Sequence, residues 1–195
     1  MIKNVVFDIG MVLKGWHPQL DKFFGADTAG KVENAIWGSG LWTEFDRGII
    51  PENELIDRMV SLEPEHEKEI RYILGNLGLI SERYDYSIGW INELKEKGYG
   101  VYYLSNYSRI MRDTVPETID FIPYMDGGIY SCDVGLLKPD RRIYELLCEK
   151  YGLKACECLF IDDRQENVDG AINAGMQSVR FESYEESYKK IMAML

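Results

Sequence analysis

The chain has 195 residues, 46% of them hydrophobic, and a formal net charge of −11, which is typical of one globular domain or of one domain with a sizeable insertion. The acidic balance disfavours nucleic acid and anionic membranes as partners, because phosphate backbones and lipid headgroups bind clustered lysines and arginines. No apolar run approaches the roughly 20 residues of a membrane span, no signal-peptide pattern is present, and the four cysteines lack the paired spacing of zinc sites, so we expect a cytoplasmic protein with reduced cysteines.

The first predicted strand ends in an acidic residue. Val5, Val6 and Phe7 form a short apolar run, typical of a strand that is buried on both faces of a parallel sheet. Asp8 follows directly, and Gly10 allows a tight turn and a close approach to a ligand. Open α/β sheets carry their chemistry at the carboxyl ends of central strands, although aspartate at a strand end can also be a simple turn residue.

After this strand the hydrophobic spacing becomes helical as far as about residue 83. Helices are predicted over 29–37, 51–60 and 65–74, with a short aromatic turn or helix over 41–46. We therefore predict that residues 15–83 form a small helical cap, inserted after the first strand.

From about residue 84 strands and helices alternate. Strands are predicted over 101–104, 159–161 and 178–181, with a short strand or turn within 124–132. Helices are predicted between and after them, over 84–94, 139–151, 164–174 and 184–195. This alternation predicts an α/β core with a Rossmann-like parallel sheet and right-handed crossovers, built from residues 1–14 and 84–195.

Polar side chains follow three of these strands, and a lysine begins one of the helices. They are Asp8, Ser105 with Asn106, Asp162 with Asp163, and Lys138. A parallel sheet brings all of them to its carboxyl edge. Carboxylates suit Mg²⁺, a strand-to-helix turn suits an anion, and an ammonium suits a phosphate. One aspartate can then attack a phosphate and form an aspartyl-phosphate, although each piece alone is also common in turns and at helix starts.

In these motifs the chain resembles the haloacid dehalogenase-like superfamily over nearly its whole length. The motifs are Phe7-Asp8-Ile9-Gly10, Leu104-Ser105-Asn106, Lys138-Pro139-Asp140 and Phe160-Ile161-Asp162-Asp163. The predicted helical insertion is similar to the small C1-type cap of that superfamily. The resemblance implies a Mg²⁺-dependent phosphatase that acts on a small phosphorylated metabolite.

The resemblance also implies a role for each motif residue. Asp8 would be the nucleophile, Ser105 would bind the transferred phosphoryl group, and Lys138 would hold both Asp8 and the phosphate. Asp162 or Asp163 would bind Mg²⁺ together with Asp8 and the backbone carbonyl of Gly10, and Asn106 and Asn167 would be supporting polar groups. Arg109 follows Ser105 and Asn106 closely and is a further candidate for phosphate binding.

The chain departs from the family pattern at two neighbouring positions. Most phosphatases of the superfamily carry an aspartate two residues after the nucleophile as general acid and base, where this chain has Gly10. The bacterial α-D-glucose-1-phosphate phosphatases are a similar branch with glycine there, but they carry asparagine where this chain has Met11. Because a good leaving group needs less acid assistance, Gly10 favours a sugar 1-phosphate or an acyl or aryl phosphate.

Several residues of the predicted cap have two readings. His17 is a candidate for the missing acid or an ordinary hinge histidine. A substrate contact and a solvated helix end are both open for Glu44, Asp46 and Arg47, and Trp37 and Trp42 either stack on a sugar ring or pack between cap helices. A phosphate-binding regulatory protein and a 2-haloacid dehalogenase are alternative functions. The dehalogenase needs no metal, so the paired aspartates count against it.

Overall fold

Seven strands divide into a large and a small sheet in the computed structural model, which describes residues 1–195. In chain order they are β1 (Asn4–Phe7), β2 (Lys14–Trp16), β3 (Ser81–Arg83), β4 (Gly100–Ser105), β5 (Gly127–Tyr130), β6 (Cys158–Asp162) and β7 (Gln177–Arg180). The large sheet has the order β5-β4-β1-β6-β7, and every neighbouring pair in it is parallel. The predicted α/β class with a Rossmann-like parallel sheet is confirmed.

The central strand β1 is buried on both faces, as its apolar run predicts. Val5 and Phe7 belong to a hydrophobic cluster of 37 residues on one face, whereas Val6 belongs to a second cluster of 10 residues on the other. Side chains that alternate across a strand make this division inevitable once both faces are covered by helices. The position of β1 in the middle of the sheet brings Asp8 to the centre of the carboxyl edge.

Eleven α-helices complete the structure. They are α1 (Asp21–Phe24), α2 (Ala26–Glu33), α3 (Leu41–Arg47), α4 (Glu52–Leu62), α5 (Glu67–Leu74), α6 (Tyr86–Glu96), α7 (Arg109–Thr114), α8 (Ser131–Val134), α9 (Arg141–Tyr151), α10 (Gln165–Asn173) and α11 (Tyr184–Met194). A π-helical turn over Asn34–Gly38 follows α2 and carries Trp37. None of these helices combines the length and the apolar character needed to cross a membrane.

In chain order, helices α1 to α5 come between β2 and β3, the two strands of the small sheet. Strands β2 and β3 pair antiparallel, with Lys14 opposite Arg83 and Trp16 opposite Ser81. The sequence pattern did not predict these strands, because three residues are too few to show a two-residue period. Buried side chains of these helices, such as Leu55 and Met59, belong to the same hydrophobic cluster as Phe7, so the helices pack continuously onto the sheet.

Candidate active site

The carboxyl ends of β1, β4 and β6 meet at one point of the sheet. The register sets Phe7 between Tyr103 of β4 and Ile161 of β6, and the Asp8 amide then donates to the Ile161 carbonyl oxygen at 2.8 Å. The residues that come just after these paired positions on β1, β4 and β6 therefore lie close together at the sheet edge. Asp8 and Asp162 are brought side by side, as the motif order predicts.

A single lysine joins the two aspartates. The Lys138 Nζ atom lies 2.8 Å from Asp8 Oδ1 and 2.6 Å from Asp162 Oδ2, and all three side chains are buried. The Ser105 hydroxyl also donates to Asp8 Oδ1, at 2.6 Å. The predicted nucleophile, lysine and serine thus form one hydrogen-bonded group at the sheet edge.

Asp162 is held by further donors behind this group. Its Oδ1 accepts from the Arg164 backbone N–H at 2.9 Å, and the Asn167 amide lies 3.0 and 3.1 Å from its two carboxylate oxygens. These bonds fix the orientation of a carboxylate that is fully buried. Asn167 therefore supports Asp162 from the first turn of α10.

Asp8, Asp162 and Asp163 together fit a divalent cation. One carboxylate oxygen from each lies within 4.8 Å of the others, and Lys138 is the single cation bonded to the group. Burial raises the pKa of Asp8, a direction that Lys138 opposes, and burial beside Asp162 raises the pKa of Asp163. Three carboxylates around one ammonium leave an excess of negative charge, which a hard cation with oxygen ligands compensates.

The ammonium of Lys138 is kept charged by its neighbours. Burial acts to lower the pKa of Lys138, but the adjacent carboxylates of Asp162 and Asp8 outweigh it, so the pKa is raised. A charged lysine at this position can bind the phosphate of a substrate as well as the nucleophile.

A cavity of about 330 Å³ opens directly above Asp8. Asp8, Gly10, Lys138, Asp163 and Asn167 contribute to its lining from the sheet edge. Its walls include three tryptophans, namely Trp16, Trp37 and Trp42, whose ring centroids lie 5.4 to 6.0 Å apart. Trp37 and Trp42 therefore pack on each other, and both also line the cavity, where stacking on a sugar ring stays a prediction.

Arg109 does not line this cavity. Its guanidinium donates to the Gly48 carbonyl oxygen at 2.8 Å and to the Cys132 carbonyl oxygen, and its Nε atom lies 4.0 Å from the Asp133 carboxylate. The predicted phosphate contact of Arg109 is therefore replaced by a bridge between the end of α3 and the start of α8. Asn106 lines the cavity, and its amide is bonded to the backbone of Lys138.

The candidate site residues of the predicted cap lie in different surroundings. His17 is exposed, faces Glu82 at 3.6 Å and lines a different hollow of the surface. Glu44 and Arg47 pair with each other at 3.3 Å on the surface of α3. Asp46 is partly buried and lines the cavity above Asp8.

Lys14 is a cavity residue that the sequence pattern did not reveal. Its Nζ atom is buried and donates to the Tyr107 hydroxyl at 3.0 Å and to the Thr118 hydroxyl at 2.8 Å. Burial lowers the pKa of Lys14 to about 7, with Glu117 opposing the shift. A lysine at the end of an apolar run is usually solvent-exposed, so only the β2–β3 pairing could have indicated its burial.

Met11 lies in a backbone conformation that disfavours most side chains. Its φ angle is 57°, in the left-handed region, where asparagine is enriched among non-glycine residues. The side chain is 41% exposed and lines the cavity. An asparagine at this position would therefore suit the turn better than the methionine found here.

Comparison with known proteins agrees with this arrangement. A model of the family described as haloacid dehalogenase-like hydrolase matches residues 24–175. The chain belongs to this family. The resemblance predicted from the four motifs is therefore confirmed, and the motifs of the haloacid dehalogenase-like hydrolases lie at the edge of the sheet described above.

Two curated relatives are named for hydrolysis or phosphatase activity. Flavin mononucleotide hydrolase 1 of Arabidopsis thaliana is 27% identical over 154 residues, which cover 77% of this chain and 60% of that protein. Sesquiterpene phosphatase astK of Aspergillus oryzae is 28% identical over 174 residues, which cover 89% of this chain and 87% of that protein. The chain therefore spans less than two thirds of the plant protein and most of the fungal one.

Solved structures show the same fold. A haloacid dehalogenase-family enzyme from Bacteroides thetaiotaomicron, in complex with magnesium and inorganic phosphate, superposes with a TM-score of 0.76 at 22% identity, covering 93% of this chain and 95% of that one. A HAD-like hydrolase from Porphyromonas gingivalis gives 0.75 at 23% identity, with 98% of each chain covered. These similarities establish the architecture of the chain.

Proposed function

We propose that this chain is a Mg²⁺-dependent phosphomonoester hydrolase that acts on a small phosphorylated metabolite through an aspartyl-phosphate on Asp8. The observation that carries the proposal is the bridging ammonium of Lys138, 2.8 Å from Asp8 and 2.6 Å from Asp162. It provides a buried positive charge beside the nucleophile, as transfer of an anionic phosphoryl group requires. The chain's relatives named as a phosphatase and a flavin mononucleotide hydrolase support the same reaction class.

In the proposed first step the Asp8 carboxylate attacks the phosphorus atom while the bond to the leaving oxygen breaks. Lys138 opposes the rise that burial causes in the pKa of Asp8, which favours the ionised nucleophile, and it neutralises part of the charge that develops on the phosphoryl oxygens. Ser105 donates its hydroxyl hydrogen, first to Asp8 and then to the bound phosphoryl group. Water hydrolyses the aspartyl-phosphate in the second step and restores the Asp8 carboxylate.

Mg²⁺ would be held by Asp8, Asp162 and Asp163 with the backbone carbonyl of Gly10. When bound, Mg²⁺ reduces the repulsion between the Asp8 carboxylate and the substrate phosphate and polarises the phosphoryl group. Asn167 and the Arg164 amide keep Asp162 oriented for this task, as groups bonded to a ligand usually do.

We further propose that residues 15–83 act as the cap of the active site. The β2–β3 pair forms its stem, and the tryptophans of the cavity wall face the leaving group of the substrate. Aromatic walls suit the ring of a sugar phosphate and equally suit an aromatic or terpenoid leaving group. The names of the two curated relatives concern a flavin mononucleotide and sesquiterpenes, so both kinds belong in the test.

The test is phosphate release from a panel of sugar 1-phosphates, sugar 6-phosphates, flavin mononucleotide, terpenyl phosphates and aryl phosphates, with Mg²⁺ and with EDTA. We expect metal-dependent release that is lost in Asp8→Asn and retained in Asp169→Asn, an exposed aspartate of α10. Turnover by Asp8→Asn contradicts the mechanism. A folded wild-type protein that binds Mg²⁺ and releases no phosphate would instead be a binding protein, and metal-independent halide release would indicate a dehalogenase.

A further inference from the structure

Position 10 carries a glycine in place of the aspartate that most phosphatases of the superfamily use as general acid, and the space around it is empty. Gly10 lines the cavity, and no heavy atom lies within 4 Å of the position where its Cβ would stand. General acid assistance contributes roughly 10²- to 10⁴-fold to such reactions. A phosphatase built on this site therefore needs either a good leaving group or an acid from another element.

Asp46 is a carboxyl group in the lining of the same cavity, contributed by α3 and not by the sheet edge. It belongs to the last turn of α3, and its side chain has no hydrogen bond or ion pair in the structure. Arg47, the nearest basic residue in sequence, forms its ion pair with Glu44. Asp46 is thus a cavity carboxyl with no structural task, which is unusual for a partly buried charged residue.

The surroundings of Asp46 favour its protonated form. Burial raises the pKa of Asp46 to about 8, the charge of Asp8 adds to the rise, and Lys138 and Arg164 oppose it. Tyr107 and Cys132 are the other titratable groups that feel its charge. A carboxyl group that keeps its proton near neutral pH can donate it to a developing alkoxide.

The end of α3 is fixed to the core by two contacts, so Asp46 is held in the lining of the cavity that Asp8 also lines. The Ser131 hydroxyl donates to the Asp46 carbonyl oxygen at 2.5 Å, and Arg109 donates to the Gly48 carbonyl oxygen at 2.8 Å. Gly48 approaches Cys132 so closely that a Cβ at position 48 would overlap the Cys132 backbone. The helix end is therefore seated on the core in one position.

We propose that Asp46 is the general acid and base of this enzyme, in place of the aspartate absent at position 10. This inference rests on the proposed phosphatase function. As Asp8 forms its bond to phosphorus and the bond to the leaving oxygen breaks, the Asp46 carboxyl gives its proton to that oxygen and an alcohol leaves. The Asp46 carboxylate then takes a proton from the water that attacks the aspartyl-phosphate, so that phosphate is released and both side chains return to their starting states.

The assignment predicts an effect that depends on the leaving group. The kcat/KM value reports the step that forms the aspartyl-phosphate, in which the leaving group departs. In Asp46→Asn we expect kcat/KM to fall roughly 100-fold or more for an alkyl phosphate such as a sugar 6-phosphate. For p-nitrophenyl phosphate, whose leaving group needs no proton, we expect a fall of less than about 10-fold.

The same variant should slow the second step. Release of p-nitrophenol by Asp46→Asn should begin with a burst, because the aspartyl-phosphate accumulates when its hydrolysis lacks a base. Glu44→Gln is the matched control, because Glu44 pairs with Arg47 on the same helix and does not line the cavity, and it should leave turnover of both substrates unchanged. Equal loss for both leaving groups, or no loss for the alkyl phosphate, contradicts the assignment.

Gly10→Asp in the Asp46→Asn background provides an independent test. No atom obstructs a Cβ at Gly10, and we expect the added carboxyl to raise activity toward the alkyl phosphate at least 10-fold above that of Asp46→Asn. If Asp46→Asn merely disturbs the fold, Gly10→Asp restores nothing, and the general-acid role is rejected. Absence of turnover in the wild type, or turnover in Asp8→Asn, rejects the phosphatase proposal itself, so the two failures are distinguishable.

Discussion

Two hydrogen bonds join the side chain of Asn106 to the backbone of Lys138. The Asn106 amide donates to the Lys138 carbonyl oxygen at 3.0 Å, and its side-chain oxygen accepts from the Lys138 backbone N–H at 2.8 Å. An asparagine at the end of β4 therefore fixes the backbone from which the buried ammonium extends to Asp8. Asn106 acts on the site through Lys138.

Replacing Asn106 with alanine should weaken catalysis and stability together. The change leaves a donor and an acceptor of the Lys138 backbone without partners, which costs roughly 1–3 kcal/mol when such groups are buried. We expect kcat to fall by about 10-fold or more, because a small displacement of the ammonium misaligns it with Asp8. Chemical denaturation and steady-state kinetics measure the two effects, with the exposed Asn173→Ala as control. An unchanged kcat would show that Lys138 needs no such support.

Arg109→Ala should act through the cap. It removes the donors to the Gly48 and Cys132 carbonyl oxygens, so the end of α3 is released from the core. We expect a stability loss of about 1–3 kcal/mol and faster amide hydrogen exchange over residues 41–48, where local opening becomes easier. The exposed Arg141→Ala should change neither. A large increase in phosphate Ki without faster exchange would instead support direct phosphate binding by Arg109.

The sheet and its motif residues could be predicted from the sequence because they rest on local patterns. An apolar run followed by an aspartate indicates a buried strand end, and the βα alternation then brings Asp8 and Asp162 to one edge. The contacts of the Arg109 side chain could not be predicted in this way. Its position after Ser105 and Asn106 is compatible with a phosphate contact, but its partners are carbonyl oxygens that come from residues distant in the chain.

The cap illustrates the same limit. Glu44, Asp46 and Arg47 share one short helix, and the spacing alone does not say which of them faces the core. That depends on how the end of α3 is seated, which is determined by Ser131 and by the close approach of Gly48 to Cys132. Contacts between elements, and not the periodicity within one helix, decide which residue of α3 lines the cavity.

Magnesium should stabilise the protein through the three clustered carboxylates. Binding to the folded state alone adds about 2.7 kcal/mol when the free metal is 100 times its Kd, so Tm should rise with Mg²⁺ concentration. Asp163→Asn removes one of the three oxygens and should weaken Mg²⁺ binding at least 10-fold, shifting the Tm response to higher concentration. Asp169→Asn is the control for a changed surface charge. Identical Mg²⁺ responses in the wild type and Asp163→Asn would exclude Asp163 as a ligand.

Lys14 should make stability depend on pH in the neutral to alkaline range. Its pKa falls from an ordinary value of 10.5 to about 7 on folding, because the amine is buried between hydroxyl groups. Between these two values the unfolded chain binds a proton that the folded chain has released, so this residue makes stability rise with pH. The slope contributed is at most roughly 1.4 kcal/mol per pH unit.

Lys14→Met tests this contribution, because methionine fills a similar volume without a titratable group. We expect the difference in unfolding free energy between variant and wild type to be largest near pH 7 and to shrink steadily toward pH 9.5. Taking the difference removes the effect of groups present in both proteins, such as Cys132, whose pKa is raised to about 11 by burial. Chemical denaturation at several pH values measures it, with the exposed Lys189→Met as control. A difference that does not vary with pH would mean that Lys14 stays protonated in the folded protein, held by an anion in the cavity.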